Sequence, residues 1–231
     1  MRDASLALSF RDSLSSDIAD SLNEYAELGI DAIMDEGVLK ELPIVHTAIS
    51  LYRIGTSIKD RHNIKKLAVF IQQIRHGCVD EVKRHKYRED FATKAEFRSK
   101  QLEYILILLD RYISYDKPQL LAKLYLAYLD ETIVWEEFIM YAEVIDRFLP
   151  LDCSMLLSQA TTFHTNRNIG AESILRLVGL GLMAEDNSIT LTEARKIKEG
   201  DTRSISKMRS DSQKKVYRRT EFGKILTDIL R

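Results

Sequence analysis

The sequence predicts a mainly α protein, with a helical bundle over residues 1–150 followed by a small α+β domain over residues 151–231. Three observations predict it. Only nine glycines and three prolines, Pro43, Pro118 and Pro150, interrupt 231 residues, so long stretches are free to stay helical. Apolar residues recur at three- and four-residue steps through most of the chain, the spacing of helices with one buried stripe. After Pro150 short alternating stretches appear, the pattern of strands.

Ile18, Leu22, Tyr25, Ala26, Ile30 and Ile33 form the first stripe, with acidic residues between them, Ser15 or Ser16 as N-cap and Gly37 as stop. Ile44, Ala48, Leu51, Ile54 and Ile58 continue in helical register, with Pro43 in the favoured first turn. Asp60 is placed to cap a third helix whose buried face is Ile64, Leu67, Phe70, Ile71 and Ile74, ended or bent at Gly77. Residues 79–100 are strongly charged and read as an exposed helix or connector. Leu102, Ile105, Leu106, Leu109 and Ile113 resume an apolar face, and residues 114–117 read as a turn. Leu120, Leu121, Leu124, Tyr125 and Tyr128 line the next helix; Trp135, Phe138, Ile139, Ala142, Ile145 and Phe148 line the one after, up to Leu149 and Pro150. Residues 15–150 thus predict about six helices with short loops, so that neighbours run mostly antiparallel. Beyond Pro150, Met155, Leu156, Ala160 and Phe163 predict a helix and 166–170 a turn. A second helix carries Ala171, Ile174, Leu175 and Val178 and closes at Gly179 or Gly181. Strands are expected at 188–192 and 216–220, and a last helix at 221–231 with Phe222, Ile225, Leu226 and Ile229 on its face.

Composition narrows the class. Hydrophobic residues make up 45% of the chain, enough for a core, which excludes disordered and collagen-like classes. Cys78 and Cys153 stand in no metal or redox spacing, so neither a disulfide framework nor a zinc ribbon is expected, and a reducing, cytoplasmic setting fits best. The N-terminal apolar run breaks at Arg11 and Asp12 without a cleavage-site pattern, so no signal peptide is expected. The longest uncharged apolar stretch, Leu42 to Tyr52, is too short to span a bilayer as a helix.

The net charge of −1 hides four alternating blocks: −7 over residues 1–52, +7 over 53–100, −6 over 101–152 and +5 over 153–231. Such blocks are consumed internally or by self-association, and the 53–100 segment and the 195–219 loop remain the two surfaces for an acidic partner. The loop carries Arg195, Lys196, Lys198, Arg203, Lys207, Arg209, Lys214, Lys215, Arg218 and Arg219 against three acids. Its net +7 matches a phosphate backbone. Reading bases requires donors on the helix that enters the groove, and 171–179 offers Glu172, Ser173 and Arg176.

Enzyme motifs are missing: there is no Gly-rich phosphate loop, no His-Glu-x-x-His and no Gly-x-Ser-x-Gly. His62, His76, His85 and His164 do not share one turn of a helix, His46 reads as a packed side chain, and no pair forms a nucleophile with its base. Asp130, Glu131, Glu136 and Glu137 sit around a helix start, where carboxylates favour the dipole. No metal, cofactor or catalytic residue is expected.

Four resemblances add to this. The stretch SILRLVGLGLMAEDNSITLT followed by YRRTEFGKILTDIL resembles the end of winged-helix domains, with a Leu-Gly-Leu turn, two wing strands and a Thr-x-x-Gly step into the last helix. It implies a winged-helix-like domain with a wing lengthened between Glu193 and Lys215. LAKLYLAYLDETIVWEEF resembles the helical domain of tellurite-resistance B-type proteins. It is also similar to half of a calcium-binding helix-loop-helix, but Leu126 and Tyr128 stand where oxygen ligands belong and Glu131 where the turn needs Gly, so no calcium site is expected. Residues 37–71 are similar to bacterial helical proteins found beside phage-defence and abortive-infection genes, which implies an adaptor or effector role in such a system. The reading is a non-enzymatic interaction protein with a protein partner. The alternatives are a winged-helix nucleic-acid binder using the 195–219 loop with Arg176, and a peripheral membrane effector using residues 42–58; homo-oligomerisation is open to all three.

Overall fold

The computed structural model describes residue 9 and residues 58–77, 95–164, 169–186 and 215–231. Among them the chain is mostly helical, with a small three-stranded antiparallel sheet. It divides into two compact units, Met1–Asp146 and Arg147–Arg231. The expected helices at 18–33 and 44–57, the strand at 188–192, Cys78 and the apolar segment 42–57 lie outside the described residues.

The first unit contains α1 (Ile58–His76), α2 (Ala95–Arg111), α3 (Asp116–Leu129) and α4 (Trp135–Asp146). The apolar stripe of α1 is buried as its spacing predicts, with Ile64, Leu67, Phe70, Ile71 and Ile74 all inside. It packs on α2 and α3, where Leu102, Ile105, Leu108, Leu109, Leu121, Leu124 and Tyr125 are buried, and α4 adds buried Phe138, Tyr141 and Ile145 from the far side of those two helices. Phe70, Tyr125 and Phe138 are ring neighbours across three helices, with centroids 5.8 Å apart at both steps.

Helices joined by a short loop run antiparallel, as α3 and α4 do with Tyr125 beside Phe138 and Tyr128 beside Trp135, while helices further apart in the chain pack in parallel. His62 meets Tyr115, Phe70 meets Tyr125 and Gly77 lies against Leu126, so α1 and α3 run in the same direction. Tyr104 lies beside Trp135 and Arg111 beside Asp146, so α2 and α4 are parallel as well. A short loop constrains only the two helices it joins, as α3 and α4 here; other contacts depend on which faces are apolar. Gly77 follows α1, with its N–H on the Gln73 and Ile74 carbonyls, and a Cβ there would lie 2.1 Å from Leu126 Cδ1.

The helix carrying Leu102 stops at Arg111, so Ile113 does not join its apolar face: it is 88% exposed. The next helix starts at Asp116, inside the expected turn, and the Trp135 helix ends at Asp146, ahead of Phe148.

The second unit holds α5 (Pro150–Leu157), β1 (Phe163–His164), α6 (Ile169–Gly179), β2 (Met183–Glu185), β3 (Val216–Arg219) and α7 (Glu221–Leu230). The sheet order is β1-β3-β2, with Phe163 opposite Tyr217, and Met183, Ala184 and Glu185 opposite Arg219, Arg218 and Tyr217. Two expectations are corrected. Phe163 belongs to a strand rather than to the helix of Met155, because the chain turns extended at Ser158. The buried face of α7 is Gly223, Leu226, Thr227 and Leu230, which leaves Ile225 41% exposed. The close approach of α7 to Leu182 at Gly223 sets that rotation. Gly179 ends α6 and Gly181 takes φ +76 in the turn that follows. Thr220 caps α7, its Oγ1 accepting the Gly223 N–H at 3.0 Å.

Candidate functional site

Two groups of charged side chains stand out, one in each unit. In the first unit the N-terminal half of α1 lies over the end of α2, where carbonyls have no partner within their own helix. Lys66 is 1% exposed and its ammonium donates to the Tyr112 carbonyl at 2.6 Å and the Asp110 carbonyl at 3.3 Å. His62 joins its two nitrogens to the Ile113 carbonyl at 2.9 Å and the Tyr115 hydroxyl at 2.7 Å. The carbonyl only accepts, so Nε2 donates to it. The Asp110 side chain accepts from Lys59 at 3.1 Å and Asn63 at 2.5 Å. Burial pushes the Asp110 carboxyl up, but those bonds and the charges of Lys59 and Lys66 outweigh it and hold the group below the usual carboxylate range. Cations at a helix C-terminus are favoured by the dipole, so four residues of α1 together close α2.

Between α2 and α4 a second set repeats this arrangement. Arg111 pairs with Glu143 at 3.3 Å and with Asp146, Tyr104 donates to Glu143 at 3.1 Å, and Lys117 caps the Asp146 carbonyl at 2.5 Å. Lys117 also stands 5.6 Å from the centroid of the Tyr112 ring.

The cluster makes a prediction. Burial lowers the Lys66 pKa to about 8, Asp110 opposing and Lys59 adding to the drop, against 10.5 for a free lysine. An amine whose pKa is lower when folded binds fewer protons in the native state, so stability rises with pH between these two values. Burial pushes the Tyr104 and Tyr112 hydroxyls up, so above about pH 10 the unfolded chain ionises first and stability falls. Melting temperature followed by circular dichroism should therefore peak near pH 10, and Lys66→Met should flatten the rise below the peak, leaving the part that Lys117, also lowered by burial, contributes. A monotonic decline from pH 8 onward contradicts this.

The acidic cluster sits at the α3–α4 turn. Glu131 has φ +57, a left-handed position that favours glycine, with its N–H on the Tyr128 carbonyl. Glu137 reaches back to the Val134 N–H at 2.9 Å and so caps α4. Among the described residues no three His, Cys, Asp or Glu side chains are placed together to hold a metal ion, and no helix is long and apolar enough to cross a membrane.

In the second unit, four members of the basic set are described. Arg176 grips Asp152, with Nη2 2.8 Å from Oδ1 and Nε 3.0 Å from Oδ2, and it also meets the Ser173 hydroxyl at 2.9 Å. Asp152, fully buried, accepts the Leu149 N–H at 2.9 Å as well. Arg219 spreads its guanidinium over the carbonyls of Leu156, Ser158 and Ala160, at 2.9, 2.6 and 2.8 Å, and lies 5.1 Å from the centroid of the Phe163 ring. Lys215 pairs with Glu185 at 2.8 Å and Arg218 with Asp186 at 2.7 Å. All four cations thus have partners inside the unit. Arg195, Lys196, Lys198, Arg203, Lys207, Arg209 and Lys214 lie outside the described residues.

No protein-family model, curated protein or solved structure matches this chain. Sequence reasoning missed Asp152, Asp186 and Glu185 as partners of the basic set, and Lys66 as a buried group. The Leu-x-x-Asp spacing at 149–152, a side chain three residues into a helix, was a signal for a helix start; the cross-chain partners left none.

Proposed function

We propose that this is a non-enzymatic interaction protein whose second unit engages a protein partner through α6. One observation carries the reading. Among the described side chains of α6, Glu172 and Leu175 are exposed, the latter 55%, while Arg176, its one cation, is turned onto Asp152. Base readout needs donors aimed at the groove. An exposed leucine offered by a helix instead suits a hydrophobic groove on a protein. The finer fold reading, a winged helix, is supported by the order α5-β1-α6-β2-β3-α7 and by the antiparallel β2–β3 pair at the base of a long connection. The antiphage setting implied by residues 37–71 would make that partner a component of the same defence system.

The test is a photoreactive side chain placed at position 175 in the full chain within the producing cell. The expected product is an adduct with one distinct protein, lost when Glu172 is changed to Lys, with the same label at exposed Ser154 giving none. Adducts with nucleic acid, or none from either position, overturn the reading.

A further inference from the structure

The pairing at the open end of the β2–β3 ladder goes beyond this reading and does not depend on α6. There Glu185 and Asp186, consecutive in the chain, each hold one cation: Lys215 at 2.8 Å and Arg218 at 2.7 Å. The ladder itself does not need them, because the backbone continues past β2 with the Asp186 N–H on the Val216 carbonyl at 2.7 Å. Both cations face solvent, with side chains 58% and 55% exposed. An exposed ion pair contributes little to folding, which describes Lys215 and Glu185, while Asp186 holds Arg218 from a side chain only 12% exposed. Arg176 and Arg219 differ in being less exposed themselves: one closes on fully buried Asp152 and the other caps the end of α5.

What two carboxylates at this place do change is the local field. The connection from Glu185 to Lys215 carries seven basic residues over positions 195–214, so its base is where the chain turns cationic. A neighbouring field of one sign draws counter-charges. A nucleic-acid backbone competes with a carboxylate for Lys215 and Arg218 with one advantage: each phosphate contact releases condensed counterions, which a carboxylate pair does not. The geometry points to Glu185 and Asp186 as an autoinhibitory mask over a phosphate-contacting edge, which withholds Lys215 and Arg218 from the backbone of a nucleic acid. The contact is sequence-independent, since neither cation is on an element that reads bases.

The experiment compares the full chain with the Glu185→Gln, Asp186→Asn double variant, by fluorescence anisotropy on a labelled mixed-sequence DNA duplex over a salt series. The double variant should bind about tenfold tighter at low salt, and its log affinity should fall more steeply with log salt, by about 1.8 in slope for two phosphates. Adding Lys215→Gln and Arg218→Gln to it should return both affinity and slope to the parent's. Equal binding and slope in parent and double variant overturn the mask, as does a gain that survives loss of the two cations, or absence of binding by both at low salt. Should the Asp186 change unfold the chain, Glu185→Gln alone, at a side chain 37% exposed, should steepen the slope by about 0.9.

Discussion

Replacing Gly223 with Ala should cost about 3 kcal/mol or more, at the upper end of what an added methyl does in a packed interior. A Cβ at this position would lie 2.0 Å from the Leu182 carbonyl oxygen, 2.9 Å from its carbon and 3.1 Å from its Cα. All three are backbone atoms, so no rotamer change relieves the clash. Nor is α7 free to retreat. The Thr220 N–H binds that same Leu182 oxygen at 3.0 Å, and the Thr220 hydroxyl binds the Gly181 carbonyl at 2.7 Å. Thr227 closes the other side through its 2.6 Å bond to the Gly223 carbonyl. Urea unfolding followed by circular dichroism checks this, with Gly179→Ala as the contrast. Nothing lies within 4 Å of a Cβ at 179, so that change should leave the midpoint unmoved or raise it slightly. Matching midpoints for the two variants would show that α7 does not pack as described.

Asp152→Ala should cost about 1–3 kcal/mol, the range for leaving a buried hydrogen-bonding group without its partner. The carboxylate is fully buried and accepts from the Arg176 guanidinium and from the Leu149 N–H. Its loss leaves the Leu149 N–H without an acceptor and frees Arg176, whose side chain is 35% exposed, from its anchor. The pH dependence follows from the same contacts. Burial raises the Asp152 pKa, but the bonds from Arg176, Leu149 and Ser173 and the charge of Arg176 bring it below the free value of 3.8. A carboxyl whose folded pKa is depressed stabilises above its unfolded pKa, and that stability is lost as pH falls through the folded one. Melting temperatures of the native chain and Asp152→Asn should differ most near neutral pH and converge in acid. A gap that persists at the lowest pH would mean that shape, not charge, makes the site.

The sequence already contained what depends on neighbours in the chain. The stripe Ile64, Leu67, Phe70, Ile71 and Ile74 is buried as a period of 3.6 requires. The stretch 216–220 is β3 plus its exit residue, and Thr220 and Gly179 cap and stop helices as their types allow. Ile113 shows the limit. Its spacing continues the stripe of α2, but Lys66 and His62 take the carbonyls of Tyr112 and Ile113 and the helix ends before it.

Of the candidate site, the sequence supplied the cations and their surplus but not their fate. Arg176, Lys215, Arg218 and Arg219 read as free positive charge because nothing near them in sequence is paired to them. The partners come from α5, the turn after it and the end of β2. Lys66 carries the same lesson. Position and type make it a surface lysine, and the orphan carbonyls at the end of α2 make it a buried one.

By itself, then, the sequence determined the helical content, the buried stripes and the turn chemistry, because propensity and periodicity are properties of adjacent residues. Tertiary structure alone decided that α1 and α3 run parallel, that two residues at Phe163 form a strand, that α7 turns Gly223 inward, and which cations are neutralised. Each depends on a partner distant along the chain, and electrostatic and steric contacts act across space with no period that a single sequence displays.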